Sequence, residues 1–90
     1  MMLHQAFIHD DFFFLEQWME IRGKLNKISK DDYCLYLNID NKVLEFKKES
    51  TEASLIQNIL DESCIGKEIA ILKTDLQDKP IIIHFVSKKG

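Results

Sequence analysis

From Met19 onward, apolar and polar residues alternate with a period of two. Met19, Ile21, Gly23 and Leu25 fall on one side and Glu20, Arg22 and Lys24 on the other, the pattern of a strand with one buried face. Ile28 is out of phase with Leu25, so the strand, read as residues 19–28, either carries a bulge near Asn26 and Lys27 or bends there. Gly23 inside it implies strong coiling or the close approach of another backbone. Ser29-Lys30-Asp31-Asp32 reads as a polar turn. The alternation resumes from Tyr33 to Ile39, with Tyr33, Leu35, Leu37 and Ile39 inward and Cys34, Tyr36 and Asn38 outward. Asp40-Asn41-Lys42 is a tight connection, and Asn41 tolerates the positive φ that hairpin turns need. A third strand runs from Val43 to Lys48, with Leu44 and Phe46 inward and Glu45 and Lys47 outward.

The period then changes. Ser50 or Thr51 can cap a helix, and Glu52 suits its first turn. Leu55, Ile56, Ile59 and Leu60 form one apolar face of about two turns, and Gly66 is expected to end the helix. A fourth strand follows from Ile69 to Leu72. Thr74 to Lys79 is a polar loop, and Pro80 opens a fifth strand, Ile81 to Val86. Ile81-Ile82-Ile83 is apolar on both faces, so this strand is expected to be covered on its outer side, with the N-terminal segment as the natural cover. Strand-strand-strand-helix-strand-strand predicts a mainly β domain, a small five-stranded barrel.

Residues 1–18 form a separate apolar and acidic segment ahead of the domain at 19–90. Leu3, Phe7, Phe12, Phe13, Phe14, Leu15 and Trp18 hold much of the aromatic content. Phe7, Phe14, Leu15 and Trp18 have helical spacing, with Asp10 or Asp11 as a cap, while Phe12–Leu15 also reads as a strand. The segment either plugs one end of the barrel or docks a partner through Phe12, Phe13, Phe14 and Trp18.

Composition narrows the classes. Ninety residues suffice for one core. No apolar run approaches the roughly 18 residues of a membrane span. No secretory signal is evident, because the N-terminus lacks a basic region and is interrupted by His4, His9, Asp10 and Asp11. A cytoplasmic protein with Cys34 and Cys64 reduced is expected. The net charge is −3, but residues 1–20 carry −4 and residues 21–90 carry +1. The domain itself is therefore near neutral, unlike a strongly basic polyanion binder. No catalytic triad, Cys-His pair, phosphate loop or paired-carboxylate motif is identifiable, which points away from an enzyme. His4, His9 and His84 match no standard zinc spacing, and no metal or cofactor is expected.

The run Ile21-x-Gly23-x-Leu25-x-x-Ile28, the hairpin after it, and the helix leading into Ile65-Gly66-Lys67-Glu68-Ile69-Ala70-Ile71 resemble the OB-fold (oligonucleotide/oligosaccharide-binding) domains of archaeal replication protein A and related single-strand binders. The resemblance covers residues 19–87. It implies a barrel with the helix closing one end and a groove for single-stranded DNA or RNA over the second and third strands. In this chain that groove would present Arg22, Lys24, Lys27, Lys30, Tyr36, Asn38, Lys47 and Lys79, with Glu45, Thr74 and Gln77 beside them. Tyr36 could stack on a base or fill a cross-strand pair. The alternative is a protein-interaction domain, a heteromer or homodimer built on the barrel and the N-terminal aromatics.

Overall fold

The computed structural model describes residues 11–86 of the chain. Leu3, His4, Phe7, His9 and the basic tail after Val86 lie outside the described residues. In order come β1 (Asp11–Phe12), β2 (Glu20–Lys30), β3 (Cys34–Ile39), β4 (Lys42–Lys47), α1 (Thr51–Ile59), a 3₁₀ turn (Glu62–Cys64), β5 (Glu68–Lys73) and β6 (Ile81–Phe85). Five antiparallel strands and one short helix give the mainly β architecture that the alternation predicts. The sheet order is β1-β4-β3-β2-β5-β6.

β2 holds the two halves together. Its first half pairs with β5 (Ile21 opposite Ile71, Gly23 opposite Ile69). Its second half pairs with β3 (Ile28 opposite Leu37). The register shifts between Leu25 and Lys27, a bulge that returns Ile28 to the core side. At the bend, the hairpin turn between β3 and β4 presses on β2. Lys24 N–H donates to Asp40 Oδ1 at 3.0 Å, and Asp40 N–H donates to the Lys24 carbonyl at 2.9 Å. A Cβ on Gly23 would lie 2.4 Å from Asp40 Oδ2, so only glycine admits this approach. The positive φ of the turn falls on Asp40, at 56°, not on Asn41.

The core lies between the two halves. Leu25, Leu37, Ile39, Ile69 and Ile71 are fully enclosed, and Ala53, Ile56 and Leu60 close it from α1. Ser50 caps α1 by accepting from Ala53 N–H at 3.1 Å. The helix ends at Leu60 rather than near Gly66, because Asp61 caps a separate 3₁₀ turn through Ser63 N–H at 2.9 Å. Ile59 accordingly points out to solvent.

The sheet is not closed into a barrel. Among the described residues, β6 pairs with β5 alone. The edge of β4 that a closing strand would take is partly occupied by β1, which runs parallel to it with Phe12 opposite Val43. The chain then turns inward, placing Leu15 in the core and Phe13 against it. It reaches β5, where Trp18 N–H donates to the Lys73 carbonyl. Residues 12–18 form no helix. Their described part does not cover β6 either, and Ile82 remains 38% exposed. Trp18 adopts a φ of 64° in the turn closed by Met19 N–H and the Glu16 carbonyl, a left-handed conformation that a bulky side chain resists.

Candidate functional site

The register sorts the sequence-predicted residues into separate places. Rows across the outer face run Lys27–Asn38–Val43, Ser29–Tyr36–Glu45 and Cys34–Lys47. Lys27, Tyr36, Asn38 and Lys47 therefore share the outer face of the half ending in β4. Arg22 and Lys24 lie on the outer face of the other half, beside Ala70 and Glu68. Lys30 ends β2 in the row of Leu35, exposed at the end of the sheet. Lys79 sits in the β5–β6 connection, where its carbonyl accepts from the Thr74 hydroxyl. Thr74 is buried and faces no groove.

The outer face is chemically mixed. Tyr36 is half-buried, directly beside Glu45, and its hydroxyl donates to Asp31 Oδ2 at 2.8 Å. That bond raises the phenol pKa. Asp31 Oδ1 accepts from Tyr33 N–H and Cys34 N–H, both at 2.8 Å. These bonds, then the one from Tyr36, hold its carboxyl below the usual value. The clasp delays the start of β3 to Cys34 and turns Tyr33 out of the inward set, leaving it 79% exposed. Tyr33 is thus the open aromatic at this end, missed because its parity matches Leu35. Asn38 Oδ1 is buried without a hydrogen-bond partner among the described residues.

A concavity lies elsewhere, along β4 where β1 diverges from it. It is a cavity of about 580 Å³ walled by Phe12, Phe13, Phe14 and Leu15 on one side and β4 from Leu44 to Lys47 on the other. Phe13 N–H donates to the Val43 carbonyl at 2.9 Å, so Val43, Glu45 and Lys47 direct their backbone groups away from β3. The Lys47 carbonyl accepts from Ser50 N–H at 3.0 Å and from Ser50 Oγ at 2.6 Å. The backbone of Glu45 and the Lys47 N–H have no backbone partner among the described residues. A stretch of strand edge thus faces an aromatic wall, on which Phe14 is 76% exposed.

The charges of this cavity balance. Lys47 and Lys73 are matched by Glu45 and Glu52, and Lys73 Nζ lies 3.3 Å from Glu52 Oε2. Cys34 Sγ donates to Glu45 Oε2 at 3.2 Å, which with burial raises the thiol pKa. A polyanion gains little from such a surface, because phosphate binding needs a surplus of cations. A second concavity brings Lys24 and Lys67 together with Phe85, the Lys67 ammonium 5.6 Å from the ring centre.

Among the described residues, no cluster of three His, Cys, Asp or Glu could hold a metal ion, and no helix is long and apolar enough to cross a membrane. No protein-family model matches the chain, and no curated protein matches it in sequence.

Proposed function

We propose that this chain is a non-catalytic binding module of OB type that docks an extended segment of a protein partner along β4. The open backbone of Glu45 and the open N–H of Lys47 beside the Phe12–Phe14 wall carry this reading. A peptide adding to a sheet edge takes affinity from main-chain hydrogen bonds and specificity from pockets for alternate side chains. The groove offers both, and its balanced charges suit a peptide with apolar residues at alternate positions. Strand order and helix position support the OB-type reading, with Leu15 and α1 filling the opening that strand pairing would close.

The test is a titration of isotope-labelled protein with short peptides alternating apolar and polar residues, read at the backbone amides. Shifts centred on Glu45 and Lys47 are expected. Phe14→Ala should weaken binding about tenfold, or about 1.4 kcal/mol, without unfolding a chain in which this ring is exposed. Peptides that leave both amides unmoved would overturn the proposal.

Single-stranded nucleic acid is the second reading, favoured by Lys27, Tyr36, Asn38 and Lys47 sharing one face near the exposed Tyr33. A base stacked on a tyrosine gains roughly 1–3 kcal/mol, but Glu45 adjoins Tyr36 and Asp31 already engages its hydroxyl. Oligonucleotides that shift the amides of Lys27 and Tyr36 at low salt, and release with added salt, would reverse the order of the two readings.

A further inference from the structure

β6 ends the sheet opposite β1. Its sequence, Ile81-Ile82-Ile83-His84-Phe85, contains no Lys, Arg, Asp or Glu. Val86 N–H donates to the Glu68 carbonyl at 2.9 Å and Thr74 N–H to the Pro80 carbonyl at 2.8 Å. With Ala70 opposite His84 and Leu72 opposite Ile82, the even-numbered residues turn their backbone groups to β5. Ile81, Ile83 and Phe85 turn theirs to the open edge. No described residue bonds these groups. Ile81 is enclosed, but Ile83 is half-exposed and Phe85 is 46% exposed.

We infer that a second copy of the chain pairs at this edge, β6 against β6, antiparallel about a twofold axis beside His84. An isologous contact must be self-complementary, and this strand is. With His84 facing its own copy, Ile83 faces Phe85 of the other strand, and both present outward N–H and C=O groups. A slip by one residue would set an outward-bonding residue against an inward-bonding one. No charged side chain opposes the contact within the strand. Closure onto β4 of the same chain is obstructed, because β1 sits on that edge and α1 and Leu15 fill the space between. Exposed neutral edge strands with aliphatic and aromatic residues are those that add a further strand. The inference is independent of what fills the groove along β4.

His84 is exposed on the outer face, so His84→Cys is compatible with the fold. Across the axis it would form a non-hydrogen-bonded antiparallel pair with Cα atoms about 4.5 Å apart, within reach of a disulfide. Mild oxidation should convert most of the His84→Cys chain to a covalent dimer, while Gln57→Cys on the exposed side of α1 should not cross-link above background. Adding Phe85→Pro, which removes an outward N–H but no bond to β5, should abolish the cross-link. The unmodified protein should show a light-scattering mass rising from monomer to dimer with concentration. Cross-linking no greater than that of Gln57→Cys, or a dimer that survives Phe85→Pro, would overturn the inference.

Discussion

β4 and β6 border the same opening, and the chain treats their edges differently. The β4 edge carries Glu45 and Lys47 on the strand and has β1 laid along its start. The β6 strand carries no Lys, Arg, Asp or Glu, and among the described residues no strand is laid along its edge, although α1 packs against it. Charge and cover are two established ways to keep an edge from pairing indiscriminately. One edge has both and keeps a short window of free backbone beside an aromatic wall. The other has neither charge nor a strand along it. A guarded edge with a narrow window suits a selective ligand, whereas an unguarded and self-complementary edge suits another copy of itself.

The most damaging way to break this contrast is to loosen the cover. Leu15→Ala should cost about 2–5 kcal/mol, as buried leucine truncations do, because Leu15 is the anchor that draws the chain after β1 into the core. Urea unfolding would measure it, and the same variant should associate more readily as β4 loses its guard. A loss as small as that of a surface residue would mean that the segment is not seated in the core. Next, Gly23→Ala should destabilise by about 1–3 kcal/mol through overpacking against Asp40. Alanine in a strand normally gains over glycine, so a gain here would show that the two halves can open at the bend.

Much of the sheet was legible because alternation is local. Leu35, Leu37 and Ile39 face the core as their spacing predicts, and Ile28 reported the bulge by its broken phase. Gly23, by its place inside a strand, pointed to strong coiling or a close approach, and the Asp40 turn makes that approach. Failures came where a side chain overrode the period. Asp31 captured two amides and turned Tyr33 outward. Asp61 ended α1 about two turns before Gly66. The groove was illegible for a different reason. Its aromatic wall is positioned by a two-residue parallel strand, too short for any periodicity, and its floor is backbone, which has no sequence signature. The face holding Tyr36 and Lys47 was visible, but the division of Arg22 and Lys24 onto the other half depends on which strand β2 pairs with, a long-range matter.

Smaller changes sharpen the contrast. Trp18 is 58% exposed and held at a φ of 64°, a conformation costing about 1–3 kcal/mol for a residue of this kind. Trp18→Gly should therefore raise the unfolding free energy, and with it the midpoint, by about 1 kcal/mol of stability after the entropy of glycine is subtracted, with the path from β1 to β5 unchanged. A lower midpoint would mean that the indole contributes packing that outweighs the strain.

The mildest effect is on pH. Asp31 has a depressed pKa, so its contribution to stability is present above the ordinary value of 3.8 and is lost as pH falls through the folded value. Tyr36 has a raised pKa, so its contribution is present below the ordinary value of 10.0 and declines as pH rises beyond it. Tyr36→Phe should flatten the alkaline limb and leave peptide binding at the β4 edge intact. An alkaline limb unchanged in that variant would place the titrating group elsewhere.

β2 is a member of both halves of the sheet, giving its first residues to β5 and its last to β3. Neither half can lose this strand without stranding the other, so the molecule should melt as one cooperative unit. Protection of the Leu37 and Ile71 amides against hydrogen exchange would then report a single opening free energy, although these strands meet only through β2. An eleven-residue strand with a bulge at its middle makes two sheets into one thermodynamic body.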